Sequence, residues 1–73
     1  MKSLFYVTQE QAIDSSIKNT IKDKFVLLEM PDNKNKMENF KKKFEEIVQS
    51  NPKAIFLGNS VEMGENLEQV LNQ

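Results

Sequence analysis

The sequence predicts an α/β domain in the order β-α-β-α-β-α, built on a small three-stranded parallel sheet. Two observations predict it. Three apolar runs, Leu4–Val7, Phe25–Leu28 and Ala54–Leu57, are uninterrupted and do not alternate with polar residues, as suits strands buried on both faces. Each run is followed by a segment whose apolar residues recur at helical spacing. Right-handed crossovers place such helices on the faces of the sheet. A three-layer arrangement is expected, with the first run central, strand order 2-1-3 and one crossover helix on each face. No repeat or linker divides the 73 residues, so residues 1–73 read as a single α/β domain.

The elements follow in order. After the first run, Thr8-x-x-Gln11 has the form of a capping box, in which hydroxyl and amide side chains satisfy free N–H groups of a helix start. Ala12, Ile13, Ile17 and Ile21 then make an apolar stripe, so the first helix is predicted over about Gln9–Lys22. In the second helix Met37, Phe40, Phe44, Ile47 and Val48 form the apolar face, and Lys41–Lys43, Glu45 and Glu46 the other. Pro31 and its Asp/Asn neighbours precede this helix. Asn51-Pro52 ends it, because the residue before a proline avoids the helical region. The third helix follows Gly58-Asn59-Ser60, with Leu67, Val70 and Leu71 inward and Glu62 and Glu65 near its first turn, where carboxylates favour the helix dipole.

Composition removes most chemistry. The chain has no His, Cys or Trp. Disulfides, Cys/His zinc sites and Ser–His or Cys–His nucleophiles are therefore excluded. A chain this short buries only roughly 60% of its unfolded surface, so packing must supply its stability unaided or with a partner. No apolar run approaches the roughly 20 residues of a membrane span. No membrane association and a cytoplasmic location are expected. All 10 basic residues are Lys, so the guanidinium best suited to phosphate and guanine is missing. Residues 32–43 carry five Lys against Asp32 and Glu38, a net +3, while residues 58–73 carry −3 from Glu62, Glu65 and Glu68. With a net charge of −1, and with aromatics that lie mostly on predicted core faces instead of alternating with basic residues as in a single-strand binder, nucleic-acid binding is not favoured.

Sites in open parallel sheets lie beyond the carboxyl ends of the strands. Three loops meet there: 8–11, 29–33 and 58–64. The first contains no glycine, so it lacks the dinucleotide fingerprint, and no Walker pattern is present. Glu10, Glu29, Asp32 and Glu62 are the carboxylates at this end. Oxygen ligands of this kind suit magnesium, but capping and solvation account for surface acids better, so Glu10, Asp32 and Glu62 stand only as weak candidates and no metal or cofactor is assigned. No catalytic residue is assigned either.

Leu4–Asp14 and Ile55–Gly64 together resemble the two acidic motifs of Toprim domains, the parallel α/β modules of DnaG-type and phage-type primases and of topoisomerases. The resemblance implies a magnesium or nucleic-acid binding fold with the first strand central. The family's glutamate falls on Gln9, unless Glu10 substitutes, and its two aspartates fall on Asn59 and Val61. Those departures imply a degenerate member without the family's metal chemistry.

The expected function is that of a small non-catalytic protein-interaction module, a description that phage or mobile-element regulators fit. Its partner is another protein or a second copy, bound through an edge strand or through the Lys-rich helix at Lys41, Lys42 and Lys43. The degenerate Toprim-like domain is the alternative.

Overall fold

The computed structural model describes residues 4–58 and 61–71, and only the backbone of Val61 and Glu62. Strand β1 is Leu4–Val7, helix α1 Ser15–Ile21, strand β2 Phe25–Glu29, helix α2 Met37–Gln49, strand β3 Ala54–Gly58 and helix α3 Val61–Leu71. A short 3-10 turn, Lys34–Lys36, leads into α2. The expected β-α-β-α-β-α order and the parallel pairing are both present. Leu4 pairs with Phe25 and Val7 with Leu28, while Phe25 pairs with Ala54 and Glu29 with Gly58.

The strand order is β1-β2-β3, not the predicted 2-1-3. The central position belongs to the strand that tolerates no exposure: Val26, Leu27 and Leu28 are all fully buried, whereas β1 and β3 are largely half-buried. A central strand must be apolar on both faces along its length, and β2 meets that demand best. The consequence for layering is direct. Two right-handed crossovers that step the same way across the sheet deliver both helices to one face. Val7, Ile21, Val26, Leu28 and Ile47 accordingly form one buried cluster, against which Phe5, Ile13, Ile17, Phe40 and Ile55 pack. Helices α1 and α2 share this face, in place of the expected one crossover helix per side.

The opposite face carries the alternate strand residues. Leu27 lies there against α3: a Cβ added at Gly64 would sit 3.4 Å from Leu27 Cδ2. Helix α3 crosses this face towards β1. Phe25 and Phe56 pack as tilted rings 6.2 Å apart on neighbouring strands, with Lys53 Nζ 5.5 Å over Phe25.

The start of α1 also differs from expectation. The helix begins at Ser15, and Asp14 is its cap, accepting from the Ile17 N–H at 2.9 Å. The Thr8 capping box does not form. Instead Gln11 N–H donates to the Thr8 carbonyl in a turn, and the neighbouring Gln9 side chain is drawn to the Met30 carbonyl across the sheet end. Tertiary contacts thus outcompete a local cap. Both helix exits pass through left-handed residues, Asp23 and Asn51, a conformation Asp and Asn tolerate better than most residues. The Asp23 N–H donates to the Asn51 carbonyl, tying the two exits together.

Candidate functional site

The loops at the carboxyl ends of β1 and β2 and the start of α2 enclose a cleft of about 340 Å³, lined by Gln9, Glu10, Glu29, Lys36, Asn39, Phe40 and Lys43. One of its lining groups is already engaged by the protein itself. Lys43 is only 9% exposed. Its ammonium donates to the Thr8 carbonyl at 3.1 Å and to the Gln9 carbonyl. Burial pushes the Lys43 amine below its usual range, opposed by the carboxylates of Glu10, Glu29 and Glu46.

Gln9 completes the arrangement. Its backbone N–H donates to Glu29 Oε1 at 2.8 Å, and its Nε2 donates to the Met30 carbonyl at 3.0 Å. The Gln9 Oε1 atom is buried with no hydrogen-bond donor among the described residues. Burial, and then Glu29, raise the Tyr6 phenol above its usual range. The group of side chains is a latch: one ammonium and one carboxylate hold the chain after β1 against α2 and β2.

Of the acids singled out from sequence, Glu10 and Glu29 line the same cleft and both face Lys43. Asp32 makes an exposed ion pair with Lys36 at 3.2 Å and accepts from Asn33. The Glu62 side chain, and Asn59 with it, fall outside the described residues. Among the described residues no three carboxylates gather closely enough to hold a metal ion. The three lysines part company: Lys41 and Lys42 are exposed, and Lys43 is the inward latch.

Phe40, Lys43 and Ile47 define the inward side of α2, because a helix turns about 100° per residue. Asn39, Lys42 and Glu46 border a second groove against the loop Gln9–Ile13. The right-handed β2-α2-β3 crossover seats α2 over those two strands, so its other flank, with Met37, Lys41, Phe44 and Val48, is the one nearer β3. Sequence reasoning placed Met37, Phe44 and Val48 in the core, but they are 38%, 36% and 47% exposed. Leu57 of β3 is 43% exposed and shares the sheet face of Ile55, two residues back on the strand. An apolar surface therefore lies along one edge of the sheet. At the other edge the outer residues of α1 are Ser15, Ser16, Lys18, Asn19 and Thr20, all exposed and polar. The five apolar positions on α2 form a stripe centred near Phe44, whereas the inward side is centred near Ile47 with Lys43 beside it, so one flank of the stripe is left exposed.

Among the described residues no helix is long and apolar enough to cross a membrane. Searched against family models, curated proteins and solved structures, the chain matches none.

Proposed function

We propose that the chain is a non-catalytic, cytoplasmic protein-interaction module whose docking face is the β3 edge together with the adjoining flank of α2. The observation that carries this reading is the asymmetry of the two sheet edges. The edge at β3 exposes Met37, Phe44, Val48 and Leu57, while α1 beside β1 exposes polar side chains. Edge strands present unpaired N–H and C=O groups that natural proteins cover, charge or pair, and contiguous exposed apolar side chains mark interaction sites. The cleft supports the same reading, because its buried amine is spent on backbone carbonyls. The strand order does not favour the Toprim-like alternative, because β1 lies at a sheet edge and not at its centre.

The test is site-specific photo-crosslinking in cells that make the protein. A photoreactive residue at position 48 should give a discrete protein adduct, and one at position 19 on α1 should not. Leu57→Lys should abolish the position-48 adduct. Equal labelling from both positions, or none from position 48, would sink the proposal.

A further inference from the structure

We infer that the occupant of this face is a second copy of the same chain, joined about a twofold axis by antiparallel pairing of β3 with β3 and α2 with α2. The inference rests on the docking reading above and names its partner.

The first argument is the pattern on α2. Met37, Lys41, Phe44 and Val48 recur at spacings of four, three and four, the seam of a two-helix contact. Run antiparallel against itself, this seam is self-complementary. Met37 meets Val48 of the second copy, and Lys41 meets Phe44 of the second copy. Lys41 then lies over an aromatic face, with Glu45 of the second copy beside it as counter-charge. Met37 and Val48 gain apolar neighbours, Phe44 gains the stem and ammonium of Lys41, and that cation gains both a ring and a carboxylate. A self-matching surface is what a twofold interface requires.

The second argument is the sheet. Antiparallel pairing of β3 centred on Phe56 sets Leu57 beside Ile55 of the second copy, and Ile55 already packs against the helical-face core. The exposed leucine thus joins an existing core in the other chain. Paired strands lie about 4.8 Å apart. A helix seated over β2 and β3 and its mate across the axis then stand about 10 Å apart, a distance at which helices pack. One operation therefore satisfies strand edge and helix flank together. The polar flank of α1 leaves the other edge unsuited to the same contact, so assembly closes at two chains.

Sedimentation equilibrium of the full chain tests this, from about 5 µM to about 1 mM. The expected result is a species of twice 8.5 kDa at the upper concentrations. Phe44→Lys should sediment as a single chain with an unchanged far-ultraviolet spectrum. Lys41→Glu should weaken the dimer roughly tenfold, and Lys41→Glu with Glu45→Lys should restore it, because the swap rebuilds the contact between copies. A wild-type chain that remains at 8.5 kDa throughout, or a charge swap that restores nothing, overturns the inference. Crosslinking at position 48 separates the two readings. An adduct with a different protein sinks the second copy and leaves the docking face standing, whereas no adduct sinks both.

Discussion

Replacing Lys43 by Met keeps the aliphatic stem and removes the ammonium. The two hydrogen bonds to the Thr8 and Gln9 carbonyls are lost, each of a kind that contributes about 1.5–3 kcal/mol when the donor is charged. The carboxylates of Glu10, Glu29 and Glu46 lose the cation they face. Working the other way, the variant no longer buries a charge, and the downward shift of the Lys43 amine shows that this burial is unfavourable. The hydrogen bonds win, because both carbonyls lose their donor at once, and the net loss is about 2 kcal/mol. Against a total of roughly 4–11 kcal/mol for a domain this size, that is a large share. Tm should fall by about 8–16 °C. Urea unfolding followed by circular dichroism should show a lower midpoint with an unchanged slope. Exchange of the Gln9 N–H, which donates to Glu29, should accelerate more than that of β2. Lys42→Met, at an exposed neighbour, should change stability by less than about 0.5 kcal/mol. A Lys43→Met midpoint equal to or above wild type would refute the latch.

Other outcomes follow from the same geometry. Asp14→Ala removes the α1 cap and should lower stability by about 1 kcal/mol, read as a Tm loss of about 4–8 °C. Gly64→Ala places a methyl in ordinary contact with Leu27 inside a helix, and should raise stability by up to about 1 kcal/mol. Gly58→Val drives into the Met63 thioether and Leu27 and should lower it by about 1–3 kcal/mol. Stability should also respond to alkaline pH. Lys43 titrates lower in the folded chain than its unfolded 10.5. Between those values the unfolded chain binds more protons, so this group makes stability rise with pH up to about 10.5. Tyr6 titrates above its unfolded 10.0, so its contribution is present below 10.0 and is lost as pH rises beyond it. Urea midpoints across this range should lose the rise in Lys43→Met and the fall in Tyr6→Phe.

The strands and the three helices were legible because apolar run length and helical period are local properties. Strand order was not, because the three runs are nearly alike in sequence. What separates them is cumulative burial: Val26, Leu27 and Leu28 all vanish from solvent, while Leu57 does not. The α1 boundary was misread for a related reason. Thr8 and Asp14 both offer caps, and the choice was made by Gln9 reaching Met30, 21 residues away. Lys43 was read as one of three surface lysines. Its position between Phe40 and Ile47, a turn from each on the inward side, was the available sign that it points in.

The strand order also explains why the carboxyl end of this sheet holds a latch. In doubly wound sheets, helices on opposite faces diverge where the strand order reverses, and that divergence opens the ligand crevice. A sheet ordered β1-β2-β3 has no reversal. Both crossover helices lie on one side, so α2 approaches the loop after β1, and an inward lysine bridges the gap to its carbonyls. The same monotonic order makes the two edges unlike each other. Right-handed crossovers seat α1 over β1 and β2 and α2 over β2 and β3, and of these two helices only α2 leaves large apolar side chains exposed, Met37, Phe44 and Val48. The same strand order therefore leaves the β3 edge free, and that edge is the one the proposed docking face uses.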